Sequence, residues 1–149
     1  HELHGIFGIE LDEILGQIAR LGIALFLALI IGWNRERDER SAGMRTFPLV
    51  AVSSCAYVML AITAFGYKAT ALARVLEGLM TGIGFIGGGA ILKNSKSVRG
   101  TATAASIWNT AAIGAAVALR RYDFAIALTL LNFLILNLIP PIKKVVAKN

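Results

Sequence analysis

The stretch GLMTGIGFIGGGAILKNSKSVRG, from Gly78 to Gly100, combines a high glycine content with large apolar side chains. Six of the twelve residues from Gly78 to Gly89 are glycine, and the others are Leu, Met, Thr, Ile and Phe. A flexible, solvent-exposed linker would instead be polar and rich in serine. Glycine in an apolar segment lets another backbone approach closely, and an unwound segment at membrane depth also uses it. We therefore expect either a tight helix contact or a broken membrane helix here.

The spacing of these glycines favours a helix contact. The pairs Gly78/Gly82 and Gly84/Gly88 both have the small-xxx-small spacing that is found where membrane helices pack together. The candidate contact glycines are Gly78, Gly82, Gly84, Gly87, Gly88 and Gly89. The stretch also contains the GxGxxG pattern of dinucleotide-binding loops, but no alternating β-strand precedes it and no acidic residue follows at the required distance. Dinucleotide binding is therefore disfavoured.

The composition of the whole chain indicates an integral membrane protein. Of its 149 residues, 56% are hydrophobic and only 16% are charged, and the mean hydropathy is +0.69. An average soluble domain has about 25% charged residues. The net charge of +6 would suggest a nucleic-acid partner in a soluble protein, but here the basic residues lie between apolar runs. We therefore expect the lipid bilayer as the surroundings and no nucleic-acid partner.

Five apolar segments are long enough to cross a bilayer as helices. They cover about residues 14–33, 47–66, 72–92, 101–119 and 124–139. The predicted fold is all-α, a bundle of five transmembrane helices in one domain over residues 1–149, with the glycine-rich third helix at its centre and no soluble C-terminal domain in this chain. Pro140 and Pro141 are expected to end the fifth helix, because proline lacks the backbone N–H that a helix interior needs.

The distribution of basic residues between the segments predicts the orientation. With the N-terminus outside, the inside loops and tail carry ten Lys and Arg residues, whereas the outside loops carry three. Positive residues accumulate on the cytoplasmic side of membrane proteins. The prediction is therefore an N-terminus outside and a C-terminus in the cytoplasm.

Several short motifs, taken in order, resemble the membrane domain of the MgtC/SapB family of bacterial inner-membrane proteins. The motifs are Arg20-Leu21, GWNRE at 32–36, AGMRT at 42–46 followed by PLV at 48–50, GIGFIGGG at 82–89, and VRGTATAA at 98–105 with Trp108. The resemblance extends over about residues 20–122. One departure lies at 100–103, where the chain has GTAT and the family pattern is expected to have GLTT.

This resemblance implies a function. It implies a multi-pass protein of the bacterial inner membrane that is linked to magnesium limitation and, in pathogens, to virulence through survival inside host cells. Members of the MgtC type are thought to bind other membrane proteins, including the ATP synthase, rather than to transport magnesium themselves. Many members also carry a soluble C-terminal domain of the ACT type.

Charged residues inside the predicted spans are candidates for functional sites, because a charge at the bilayer centre costs about 3 kcal/mol or more. Arg20 and Glu77 lie at a similar depth, roughly 8 Å from the same face, at a rise of about 1.5 Å per residue. We expect them to pair between the first and third helices, with Arg74 as a competitor for Glu77. A structural ion pair near the outer interface is the alternative to a functional pair.

The other candidates are polar. Asn109, beside Trp108 in the fourth span, is expected to pack by interhelical hydrogen bonding, as are Asn132 and Asn137 in the fifth. The cytoplasmic loop candidates are Arg35, Glu36, Arg45, Thr46 and Arg99. Anionic lipid headgroups would explain the basic residues of the first loop, and a surface that docks a partner is the alternative.

No pattern indicates an enzyme. The sequence has no nucleophile elbow, no His/Cys cluster with metal-ligand spacing and no pair of carboxylates inside the spans, so no catalytic residue, metal site or cofactor is predicted. We expect a regulatory or interaction protein that forms a homodimer and binds another inner-membrane protein. The alternative is a transporter or channel for a small ion or solute such as magnesium, which would use Arg20, Glu77 and a helix break at Gly87–Gly89.

Overall fold

The computed structural model describes residues 11–37 and 42–146, with side chains for 11–35 and 42–139. Over these residues the chain forms five α-helices and one short β-hairpin. The elements are α1 (Leu11–Arg37), α2 (Thr46–Phe65), α3 (Ala69–Gly89), β1 (Leu92–Lys93), β2 (Val98–Arg99), α4 (Thr101–Ala118) and α5 (Tyr122–Val146). The prediction of an all-α bundle with five helices is confirmed.

Four of these helices are long and apolar enough to cross a membrane by length and composition. The four segments are Leu11–Arg35, Thr46–Phe65, Ala69–Gly89 and Tyr122–Ile139. The remaining helix, α4, has 18 residues, many of them Ala, Thr or Gly. A helix that is enclosed by other helices does not need a strongly apolar surface, and the small side chains of α4 allow its neighbours to approach closely.

The centre of the bundle is α4. Eleven of its residues are buried, and it packs against α1, α2, α3 and α5. The glycine-rich α3 is a peripheral helix, with only Ile83 and Gly87 buried. The expectation that the third helix lies at the centre was therefore wrong. A row of alanines lets one helix meet four neighbours, whereas most glycines of α3 face outward.

Two of the expected helix ends differ in the structure. Helix α3 runs without a break through Gly87 and ends at Gly89, where the backbone N–H of Ala90 donates to the carbonyl of Gly87 and that of Ile91 donates to the carbonyl of Gly88. Helix α5 continues through Pro140 and Pro141 to Val146, so the prediction that the prolines end it was wrong. The fixed φ of proline, about −65°, is a helical value, and what each proline removes is one hydrogen bond.

Between α3 and α4, the predicted basic loop is an antiparallel hairpin in which Leu92 pairs with Arg99 and Lys93 with Val98. The side-chain Oδ1 of Asn94 accepts hydrogen bonds from the backbone N–H groups of Lys96 and Ser97, which fixes the turn.

Candidate functional site

The order and direction of the helices bring several of the sequence motifs to one end of the bundle, here called the Arg35 end. At this end α1, α3 and α5 finish and α2 and α4 begin. A Cβ atom added at Gly32 of α1 would lie 3.2 Å from the carbonyl oxygen of Gly43, and one added at Gly87 of α3 would lie 3.2 Å from that of Ala104. The glycines thus permit the close approach of backbones that forms this end.

Gly100 is the most constrained residue of the Arg35 end. Its φ of +86° lies in the left-handed region, and an added Cβ would overlap the carbonyl oxygen of Ala90. Glycine is the residue that adopts this conformation at no steric cost. It lets the chain turn from the hairpin directly into α4, so that the first turn of α4 is set against the end of α3.

Arg35 is buried at this end, and its side chain reaches from α1 to α4. Its side chain is 4% exposed, and its Nη2 donates a hydrogen bond of 3.0 Å to Oγ1 of Thr103, which is 1% exposed. A buried guanidinium is stable only where hydrogen bonds replace its hydration. The expectation that Arg35 anchors the first loop to lipid headgroups was therefore wrong, since its charge lies inside the protein.

A pair of asparagines lies one residue away from this contact. Nδ2 of Asn34 on α1 donates to Oδ1 of Asn137 on α5 at 2.8 Å, and Nδ2 of Asn137 donates to the carbonyl oxygen of Phe133 at 2.6 Å. Asn34 is buried, and its Oδ1 has no hydrogen-bond partner among the described residues. The polar cluster of the Arg35 end therefore consists of Asn34, Arg35, Thr103 and Asn137, and it connects α1 to both α4 and α5.

Sequence reasoning identified only part of this cluster. Arg35 was a candidate, but for a surface role, and Asn137 was predicted to pack by hydrogen bonding, which the structure confirms. Thr103 and Asn34 were missed. The signal for Thr103 was its place in the GTAT motif, one turn into a helix that follows the basic loop. Neither residue could be assigned from the sequence, because the partner of each lies on a distant segment.

Further hydrogen bonds connect α4 and α5 near the middle of the bundle. Ser106 and Asn132 are both buried, and Nδ2 of Asn132 donates to Oγ of Ser106 at 2.8 Å. Nδ2 of Asn109 donates to the carbonyl oxygen of Leu128 at 3.4 Å. These bonds agree with the packing role predicted for Asn109 and Asn132. These two bonds connect α4 to α5, one between side chains and one from a side chain to a backbone carbonyl.

The predicted ion pair between Arg20 and Glu77 is not formed among the described residues. Nε of Arg20 donates to the carbonyl oxygen of Gly16 on its own helix, and α1 and α3 make only marginal contact. Glu77 and Arg74 are both exposed on the outer face of α3. The prediction of this pair was wrong, because similar depth in the bilayer does not make two helices neighbours.

The candidate glycines of α3 divide into two groups. Gly87 packs against α4, as described above. A Cβ added at any of the other five would meet nothing within 4 Å, and these are Gly78, Gly82, Gly84, Gly88 and Gly89. Most of the predicted contact surface of α3 is therefore open in a single chain.

Two grooves lie beside α3. One, of about 410 Å³, lies between α2 and α3 and is lined by Tyr57, Val75, Gly78, Leu79, Gly82, Ile83 and Ile86. The other, of about 360 Å³, lies between α3, α4 and α5, and its lining includes Trp108 and Arg121. Neither groove is lined by Arg20, Arg74 or Glu77. The polar residues proposed for a transport path therefore do not meet in either groove.

The remaining loop candidates lie at the surface of the Arg35 end. Arg45, which precedes α2, and Arg99 of the hairpin are exposed, and Thr46 is half-buried. The side chain of Glu36 lies outside the described residues. Leu92 and Val98 are also exposed, so the hairpin presents apolar side chains next to basic ones.

The opposite end of the bundle carries an ion pair at its surface. Nη2 of Arg121 lies 2.9 Å from Oδ2 of Asp123, and the Arg121 guanidinium lies over the ring of Phe124 at 5.3 Å. The hydrogen bond and the charge of Asp123 raise the pKa of Arg121. Both residues are largely exposed, so screening by solvent keeps this pair weak.

No group of three or more His, Cys, Asp or Glu side chains that could hold a metal ion occurs within residues 11–35 and 42–139. Cys55 is buried in α2. The fold and the site thus define a multi-helix membrane protein whose buried polar cluster connects its helices at one end.

Comparisons with known proteins give the family. The model of the MgtC family matches residues 21–145. The chain is 38% identical to protein SrpB of Synechococcus elongatus, over 83% of this chain and 74% of SrpB. It is 33% identical to protein MgtC of Salmonella typhimurium, over 76% of this chain and 48% of that protein. It is also 32% identical to protein SapB of Bacillus subtilis, over 83% of this chain and 56% of SapB. This chain belongs to the MgtC family.

The match does not extend over the whole length of every relative. The chain spans about half the length of MgtC and SapB, and about three quarters of SrpB. No solved structure matches the chain. The match to the family model, residues 21–145, includes the whole polar cluster and all of the helices except the first ten residues of α1 and the last residue of α5.

Proposed function

We propose that this chain is a regulatory protein of the bacterial inner membrane that acts by binding another membrane protein when magnesium is limiting. Membership of the MgtC family supports the class of function. The observation that carries the proposal is the dispersal of the residues that a transport path would need. Arg20 hydrogen-bonds within α1, Glu77 faces outward, and α3 is unbroken at Gly87.

The bonding inside the bundle agrees with a static interior. A transporter moves one set of helices against another around a site near the middle of the bilayer. Here α4 is enclosed by four helices, and hydrogen bonds at two levels tie α4 to α1 and to α5. Interhelical hydrogen bonds in membranes contribute about 0.6 kcal/mol on average. Together with the close packing of α4, they favour a scaffold that presents surfaces to partners.

The hairpin is the surface that we propose for the protein partner. It carries Lys93, Lys96 and Arg99, and it exposes Leu92 and Val98 beside them. Basic residues attract acidic surfaces over several ångströms, and adjacent apolar side chains supply area for a contact once the surfaces meet. An acidic surface of a membrane protein at the cytoplasmic face fits this chemistry.

Growth under magnesium limitation tests the proposal in a bacterium that lacks its own protein of this family. We expect the wild-type chain to restore growth and the Lys93→Glu/Lys96→Glu/Arg99→Glu variant to fail at equal abundance in the membrane. A control variant reverses two basic residues at the other end of the bundle, as Lys68→Glu/Arg120→Glu, and should still restore growth.

Flux measurements separate this function from transport. Purified protein in proteoliposomes should give no Mg²⁺ flux above that of empty vesicles. Flux that Glu77→Ala abolishes would instead establish the transporter alternative, with Glu77 in its path. The binding function is supported if the hairpin variant fails to restore growth and the wild-type protein gives no Mg²⁺ flux.

A further inference from the structure

The exposed face of α3 differs from a surface that faces lipid. Arg74, Glu77, Gly78, Thr81, Phe85 and Gly88 follow one another at helical spacing and therefore share one side of α3. All six are exposed. The opposite side, with Ile83 and Gly87, packs into the bundle. The outer face thus carries two charges, a hydroxyl and two glycines at positions where a lipid-facing helix would carry Leu, Ile or Val.

The charges on this face lie well inside the apolar segment. Glu77 is eight residues after Ala69, where α3 begins, which places it about 12 Å along the helix. A charged side chain that faces hydrocarbon is strongly disfavoured, and such residues almost always face a protein neighbour or a water-filled cavity. Neither Arg74 nor Glu77 forms a salt bridge within residues 11–35 and 42–139, and neither lines the two grooves beside α3 that are described above. A protein surface that covers this face would remove the cost of exposing these charges to hydrocarbon.

We propose that this face binds the same face of a second copy of the chain, with Arg74 of each copy paired with Glu77 of the other. A two-fold axis along the membrane normal places the two α3 helices parallel and at equal depth, so that the contact is reciprocal. Arg74 and Glu77 are about 4.5 Å apart along the helix axis, which is less than one turn. Each charge therefore meets its opposite at nearly the same depth.

The shape of the face agrees with this partner. Gly78 has open space where its Cβ would be, so the backbone of a second helix can approach it closely. Phe85 is 86% exposed. A helical side chain covers the turn on the N-terminal side of its own Cα, which brings Phe85 to the depth of Gly82. Gly82 lines the open groove between α2 and α3, and this groove can take the Phe85 ring of the second copy.

This inference concerns the α3 face and does not depend on the hairpin or on the proposed function. Its test uses two differently tagged full-length chains, co-expressed and extracted in native lipid discs. We expect wild-type chains to co-purify. Arg74→Glu alone gives two negative charges on the face and Glu77→Arg alone gives two positive charges, so each variant should lose at least tenfold in co-purification with itself.

Mixing the two variants is the decisive arm. Arg74→Glu chains and Glu77→Arg chains should co-purify with each other, because one face is then acidic and the other basic. If Arg74 paired with Glu77 only within one chain, mixing the two variants would not restore co-purification. Single variants that lose self-association and are not rescued by mixing would overturn the reciprocal pairing.

A second pair of variants keeps the test independent of the charges. Gly78→Leu fills the open space on the face and should abolish co-purification. Gly22→Leu, at an equally open position on α1, should leave it unchanged. Helical content and a single elution peak establish that each variant is folded. Wild-type chains that do not co-purify, or Gly78→Leu chains that still do, would show that another protein or another face makes the contact.

Discussion

Gly114 of α4 lies directly against the carbonyl oxygen of Ala51 of α2, so closely that a Cβ at position 114 would overlap that oxygen. Both residues are buried in the part of the core where α4 meets α2. Small residues at such crossings allow the close packing that holds membrane helices together. This contact explains why a short helix with only moderate hydropathy can occupy the centre of the bundle.

We expect Gly114→Ala to destabilise the protein. The added methyl group meets backbone rather than a flexible side chain, so α2 and α4 must separate, and overpacking of this kind costs about 1–3 kcal/mol. Thermal unfolding in detergent should show a clearly lower Tm. The matched control is Gly22→Ala on α1, whose new Cβ has open space and should leave Tm unchanged or slightly higher. Equal Tm values for the two variants would contradict the close contact.

The hydrogen bond between Arg35 and Thr103 predicts a difference between two substitutions at position 103. Thr103→Val keeps the shape but removes the acceptor from a buried guanidinium, and hydrogen bonds to charged groups contribute about 1.5–3 kcal/mol. Thr103→Ser keeps the hydroxyl and loses only a methyl group, worth about 0.8 kcal/mol. The free energy of unfolding should therefore decrease more for Thr103→Val than for Thr103→Ser. A serine variant that is less stable than the valine variant would show that Thr103 acts by packing alone.

The pair formed by Ser106 and Asn132 predicts a coupling between α4 and α5. A double-mutant cycle with Ser106→Ala and Asn132→Ala should give a coupling free energy of about 0.6 kcal/mol, the average for interhelical hydrogen bonds in a membrane protein, and no more than about 1.7 kcal/mol. Ser53 of α2, which is exposed, offers the control pair with Asn132, and their coupling should be close to zero. The absence of coupling for Ser106 would mean that the bond contributes nothing to stability.

The helices themselves could be predicted from the sequence, because an apolar run of sufficient length between charged loops has few other structures in a membrane protein. Their arrangement could not. Glycine spacing indicates that α3 has a face suited to close contact, but it does not say whether this chain or another molecule supplies the neighbour. The row of alanines in α4 is a less distinctive sequence pattern than the glycine spacing of α3, yet α4 is the helix that packs at the centre of the bundle.

The sequence also did not predict which individual side chains of the site meet. Counting residues gave the depth of Arg20 and Glu77, but the angular position of each helix around the bundle is set by packing between distant segments. Arg35 looked like a loop residue because it stands at the start of a charged stretch, and only the position of Thr103 against the end of α1 shows that it is buried. Local pattern therefore located the polar residues along the chain but did not pair them.

The separation of Arg20 from Glu77 is itself testable. Because the two residues are on helices that make only marginal contact, the effects of Arg20→Gln and Glu77→Gln on the free energy of unfolding should add within about 0.3–0.5 kcal/mol, as for independent sites. The cycle should be measured on the Gly78→Leu background once that variant has been shown to be monomeric, so that contacts between two copies do not contribute. A coupling well above this range would mean that the two charges interact after all.

The orientation of the bundle is a prediction that the structure makes easy to test. Tyr67, in the turn between α2 and α3, and Ser95, in the hairpin, lie at opposite ends of α3, and both are exposed. Arg35 is buried, yet the Arg35 end still has the excess of basic residues, among them Arg45, Lys93 and Arg99, which predicts that this end is cytoplasmic.

In a Cys55→Ala background, a membrane-impermeant maleimide should label Tyr67→Cys in intact spheroplasts and Ser95→Cys only after permeabilisation. The reverse labelling would place the hairpin outside the cell, where a cytoplasmic surface of a partner could not reach it, and would exclude the binding surface proposed for it.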